Sequence, residues 1–135
     1  MYLDKLNIDK ECYFNTKPKE KWYDIRRKFR NWKFAREHKF YERETWGMDT
    51  TLATWLYEHF CAYRDSAGKI IDLEWHKIEI DGETHNQKEW IDIFITELED
   101  YLVLENDGYI NYDVLLKKEQ AMFSRIGKLM PYMWW

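Results

Sequence analysis

The side chains able to move a proton or hold a metal are few: His38, His59, His76 and His85, with Cys12 and Cys61. His59 and Cys61 stand two apart in a helical pattern, so they project from different faces and cannot chelate one ion together. His76 and His85 are nine apart across an Asp81-Gly82 turn signal, with Asp72 and Glu74 close in sequence. An acid–base or metal site can be drawn from this group. The spacing matches no ligand pattern, however, and solvated polar residues are the plainer account. The sequence has no C-x-x-C pair, no glycine-rich phosphate loop and no nucleophile elbow. Catalysis is therefore unsupported, and neither a metal nor a cofactor is expected.

A different chemistry is written in the aromatics. They make up 19% of 135 residues, with 8 Trp, more than a four-helix core of this size needs. Trp46, Trp55, Trp75, Trp90, Trp134 and Trp135 cannot all be buried easily, because a buried indole N–H wants a polar partner. A cleft walled by aromatics and tipped with arginine suits a nucleotide: rings stack on the base and guanidinium groups fork onto phosphate oxygens. Arg36, Arg43, Arg64 and Arg125 are the candidates for the anion end, with Trp46 and Trp134 as candidate walls. Around Trp46 a folding role competes. Gly47 reads as a turn residue, Asp49 as a helix N-cap, and Trp46 as a staple on the following turn. The N-terminal end of that helix also favours an anion, so both roles fit one junction.

These residues need elements to place them. After Pro18, Trp22, Ile25, Phe29 and Trp32 recur at helical steps and predict a first helix over about 19–36, with an extension to Phe40 left open and those four as its core stripe. Leu52, Trp55, Leu56, His59, Phe60 and Tyr63 predict a second helix from Asp49 to about Asp65, with Gly68 just beyond its end. Residues 70–82 alternate (Ile71, Leu73, Trp75, then Ile78, Ile80) and predict a short extended arm or hairpin. Asn86 and Glu89 form a capping-box pattern ahead of a helix near 87–104. Ile91, Phe94, Ile95, Leu98 and Leu102 make one stripe of that helix, and Trp90, Ile93, Tyr101 and Leu104 another, so it is the central one. A last helix runs from about Tyr112 to Leu129, with Leu115, Met122, Ile126 and Leu129 inward. The fold class expected is all-α: a compact bundle of about four helices in a single domain, 1–135, with 1–17 a loosely ordered lead-in.

The formal charge of −4 is unevenly spread. Residues 17–43 hold eleven Lys and Arg against four Asp and Glu, a balance of +7 that leaves −11 on the remainder. A basic arm on an acidic body either binds an anion or docks on its own body. With Trp22, Trp32 and Phe34 interleaved, the arm has the composition to stack bases. Nucleic acid is nonetheless disfavoured, because the stripe is expected to be spent on the core and the acidic remainder would repel a duplex. No apolar run reaches the length of a membrane span, and the N-terminus does not read as a signal peptide.

The order of the basic helix, "ETWGMDTTLATWLYEHFCAYRD", "NQKEWIDIFITELEDYL" and "KEQAMFSRIGKLMPYMWW" resembles a group of small uncharacterised proteins of tailed bacteriophages. In that group a Trp-x-Leu-Asp segment opens one helix, a Glu-Trp pair opens another, and an E-G-x-x-x-F helix ends near a Leu-Trp. The matching positions are Trp46, Met48 and Asp49; Glu89 and Trp90; Glu119, Phe123 and Trp134. Met48 replaces Leu, Gln120 stands where Gly is usual, and Pro131 intrudes. The likeness spans roughly residues 22–135. It implies a phage setting in the host cytoplasm and a compact helical fold, and it carries no activity. The expectation is a non-enzymatic accessory protein that sequesters a nucleotide-derived signal and so counters host defence. The alternative is an inhibitor that binds a host protein through exposed aromatics, and a weaker one is a small hydrolase. The partners expected are thus a nucleotide-like small molecule or a host protein, with no membrane, and a homo-oligomer through the aromatic C-terminus is allowed.

Overall fold

The computed structural model describes residues 1–8, 14–108 and 111–133. They are mostly helical but not purely so. The α-helices are α1 (Ile25–His38), α2 (Met48–Ala67), α3 (Gln87–Asp107) and α4 (Tyr112–Leu129). Short 3-10 turns lie at Tyr2–Leu6, Glu42–Thr45 and Met130–Tyr132, and β1 (Lys77–Ile80) pairs antiparallel with β2 (Glu83–Asn86). The chain divides into two compact units: Met1–Ile8 with Leu56–Trp135, and Asp9–Trp55. Helix α2 runs through the division.

The larger unit is built around α3. Asn86 caps it: its side chain accepts from Glu89 N–H at 2.8 Å, while the Glu89 carboxylate accepts from Asn86 N–H at 2.9 Å. This reciprocal box satisfies two of the donors that a helix start leaves open. Trp90, Ile91, Phe94, Ile95, Leu98, Tyr101 and Leu102 are buried. Phe94 stacks on Trp90 and Phe60, with ring centroids 5.6 and 6.4 Å apart. Helix α4 contributes Met122, Ile126 and Leu129, whereas Leu115 is only half-buried. Within the stretch read as a loose lead-in, Leu3 is fully buried, and its N–H donates to Glu58 Oε1 at 2.6 Å.

The extended segment is a hairpin, displaced from where alternation put it. Residues 68–76 form turns and bends, so Ile71, Leu73 and Trp75 do not form a strand. The strands flank Asp81-Gly82, both at positive φ (53° and 84°), the backbone of a tight hairpin turn. Ile78 and Ile80 face inward, and Trp90 Nε1 donates to Ile78 O at 2.8 Å. A two-stranded ribbon is marginal alone, and this bond ties it to α3.

In the smaller unit, α1 starts at Ile25 and not near 19. Asp24 is the N-cap, accepting from Arg27 N–H at 3.1 Å, and residues 16–21 form no helix. Lys39, left-handed at φ 68°, closes the helix by donating from its N–H to Ala35 O at 2.9 Å. Asp49 lies inside the first turn of α2 instead of capping it, and its carboxylate accepts from Thr50 N–H at 2.8 Å.

Candidate binding surface

The expected core stripe of α1 is not a core. Trp22 is 83% exposed, Ile25 74%, Phe29 63% and Trp32 55%, and no residue of α1 is buried. The helix holds its unit by another side. Lys28, Asn31 and Ala35 are half-buried, bordering a small recess with Lys17, Pro18, Glu20 and Tyr41 that one edge of Trp32 also reaches, and Asn31 donates to the Glu20 carboxylate. With about 100° per residue, Ile25, Phe29, Trp32 and Arg36 share one face. Phe29 and Trp32 have ring centroids 5.8 Å apart, and the Arg36 guanidinium lies over the Trp32 ring at 5.3 Å. One reason for discounting a polyanion at this helix, that its aromatics were spent on folding, therefore falls away, while the acidic remainder still opposes a duplex.

One flank of the stripe is cationic. Arg26, Arg27 and Arg30 line an open cleft with Asp24 and Trp46. Arg30 pairs with Glu42 at 3.5 Å and Lys33 with Glu37 at 3.9 Å. No carboxylate lies within ion-pairing distance of Arg26 or Arg27 among the described residues. Trp46 is exposed, so it does not act as a buried staple.

The candidate residues fall in both units. Arg36, Arg43 and Trp46 belong to the smaller one: Arg36 covers Trp32, Arg43 is half-buried in the turn Glu42–Thr45, and Trp46 faces Arg26, Arg27 and Arg30 across their cleft. Sequence reasoning counted those three arginines as helix charge and missed them as neighbours of Trp46. The available signal was the long basic run itself. Arg64 and Arg125 belong to the larger unit and are engaged there. Arg64 pairs with Asp65 and Asp92 at 3.3 and 3.1 Å. Arg125 bonds Glu97, lies 3.7 Å from Glu83, and sits over the Trp90 and Phe94 rings. Trp134 and Trp135, like Cys12, lie outside the described residues.

A cavity of about 720 Å³ is in the larger unit, and none of the candidate residues among those described lines it. Its walls include Trp75, Tyr132, Ile78 and Gln87, with the His76 imidazole and the Lys77 ammonium beside them. Gln87 Nε2 donates to Tyr63 Oη at 3.0 Å and to Tyr132 O at 3.2 Å, which leaves its carbonyl as the polar atom uncommitted to either bond. His85 stands 3.6 Å from the Glu89 carboxylate and edge-on to Trp90. No group of three His, Cys, Asp or Glu able to hold a metal occurs among the described residues.

The perturbed groups elsewhere have structural causes. Burial, then a 2.7 Å bond to Glu99, pushes the Tyr57 hydroxyl far above its ordinary value. Burial raises the Cys61 thiol. The bond from Tyr2 holds the Asp65 carboxyl below the usual range. No helix among the described residues is long and apolar enough to cross a membrane. No protein-family model, curated protein or solved structure matches the chain.

Proposed function

We propose that this is a non-catalytic phage accessory protein that acts by binding a host macromolecule through the aromatic, basic face of α1. The observation that supports it is the joint exposure of Ile25, Phe29 and Trp32 on a helix that buries nothing, with Trp22 exposed in the turn before it. Full burial of such a side chain is worth about 1.5–3 kcal/mol. The isolated chain forgoes that gain and a partner recovers it. Trp, Tyr and Arg also dominate binding hot spots. The phage likeness supplies the setting, the host cytoplasm. The test is affinity capture from host lysate with the wild-type chain and with Phe29→Ala/Trp32→Ala, compared by quantitative mass spectrometry. The reading expects a defined set of captured molecules to be lost in the variant; equal capture by both would sink it.

The second reading is sequestration of a nucleotide-like signal, and the cavity beside Trp75 and Tyr132 favours it. Its volume lies in the range of small-molecule sites, its rings offer stacking surface, and Lys77 offers charge to a phosphate with the His76 imidazole as a hydrogen-bond partner. Native mass spectrometry with a panel of cyclic nucleotides and ADP-ribose derivatives tests it. A bound mass recovered intact, and lost in Trp75→Ala, supports the reading. A ligand of altered mass would point to a hydrolase using His76, and an unbound chain across the panel would remove the cavity from consideration.

A further inference from the structure

We infer that the partner of α1 is a protein presenting an apolar groove with an acidic rim, into which Ile25, Phe29 and Trp32 insert as anchors; this rests on the binding role proposed for that face. The spacing is the first argument. Ile25, Phe29 and Trp32 are i, i+4 and i+7 of the helix. That is the anchor pattern by which an amphipathic helix lies in a groove. The stripe is narrow and continuous: Phe29 and Trp32 rest against each other, and Arg36 closes the end over Trp32. Side chains already packed into one ridge present a shape for a groove to match. Base stacking instead uses ring faces open to successive bases, and here one face of Trp32 is already covered by Arg36.

Charge is the second argument. Arg26 and Arg27 are without carboxylate partners among the described residues, which suits an acidic rim. Arg30 and Lys33 are each already held by a carboxylate, Glu42 and Glu37. A nucleic-acid backbone or an anionic bilayer binds through dense cationic charge and counterion release. Carboxylates set among the cations, on a chain whose remaining residues carry −11, weaken that mode. A partner that recognises mainly the apolar ridge and adds a few acidic contacts loses little from them. The ridge is also pre-formed. Asp24 caps the helix and Asn31 fastens its back to Glu20, so ordering a free peptide is not part of the binding cost.

The test uses calorimetric titration of the full chain against three probes: calcium-loaded calmodulin, an oligo-dT single strand, and vesicles of mixed phosphatidylserine and phosphatidylcholine. Calmodulin is chosen because its acidic, methionine-rich groove repacks around many amphipathic helices. The expected result is saturable binding to calmodulin, tighter than to either other probe. It weakens about tenfold or more in Phe29→Ala or Trp32→Ala, a hot-spot loss, and more modestly in Arg26→Glu/Arg27→Glu, with circular dichroism unchanged in every variant. Tighter binding to the oligonucleotide or the vesicles would overturn the groove assignment and leave the binding role of α1 standing. Binding to none of the three, or binding indifferent to Phe29 and Trp32, would overturn both.

Discussion

In α3 the residues Trp90, Ile91, Phe94, Leu98, Tyr101 and Leu102 are buried, whereas in α1, at the same helical spacing, Ile25, Phe29 and Trp32 are exposed. Both helices carry an N-cap whose side chain accepts from the third residue on. The difference lies around the stripe. Helix α3 is apolar on two faces, so its surroundings had to be other apolar elements. Helix α1 has one apolar face, with charged residues over most of the rest. A 3.6-residue period reports that a face is apolar and does not report what covers it.

The largest test of the contrast is Trp90→Ala. Removing a fully buried indole leaves a cavity and strands the Ile78 carbonyl that its N–H serves. The expected loss is about 3–5 kcal/mol, read as a lower urea midpoint by circular dichroism. A loss under about 1 kcal/mol would mean that α3 is not the centre of its unit.

Much of α3 was legible before the structure, because its capping box, its two stripes and the Asp81-Gly82 turn all pointed one way. Helix α1 was legible as a helix and illegible as a surface, since exposure depends on contacts far away in sequence. The hairpin was half legible. Ile78 and Ile80 alternate in a strand, but Ile71, Leu73 and Trp75 alternate in a run of turns, and a three-residue alternation does not tell the two apart. The arginines were legible as charges and not as partners. Arg64 and Arg125 find carboxylates on α3, Asp92 and Glu97, through tertiary contacts that no spacing rule encodes.

The larger unit also responds to pH through groups that the smaller one does not share. Tyr57 and Tyr63 are raised above 10.0, by burial first in each. A group whose folded value is raised contributes stability that is fully present below its unfolded value and is lost as pH rises through the folded one. Unfolding midpoints should therefore fall as pH climbs above 10, and Tyr57→Phe should flatten that fall. Asp65 is lowered, chiefly by the bond from Tyr2; its contribution is present above 3.8 and is lost as pH falls below it. Tyr2→Phe should reduce the acid-side slope. Profiles unchanged by both variants would show these bonds to be absent in solution.

Caps give the next contrast. Asn86→Ala removes an acceptor from the start of a helix that carries the core and should lower global stability by about 1 kcal/mol. Asp24→Ala removes the same kind of bond from α1, where no burial depends on it. Its effect should be local: faster amide exchange across α1, with the global urea midpoint nearly unmoved. Equal global losses from the two would mean that α1 folds as one unit with the rest.

The smallest expected effect is the most informative about α1. Phe29→Ala and Trp32→Ala remove large side chains that are more than half exposed, although Trp32 also borders the recess beside Pro18 and Tyr41, so each should change stability by no more than about 0.5 kcal/mol. Alanine is the better helix former, worth up to about 0.7 kcal/mol, and can turn the sign slightly positive. The same two substitutions are the ones expected to abolish partner binding. A residue that is dispensable for folding and required for binding separates the two uses of an apolar stripe. If either substitution instead costs more than about 2 kcal/mol, on the scale of core truncation, then the face is covered in the isolated chain. The contrast between α1 and α3 would then collapse into two cores.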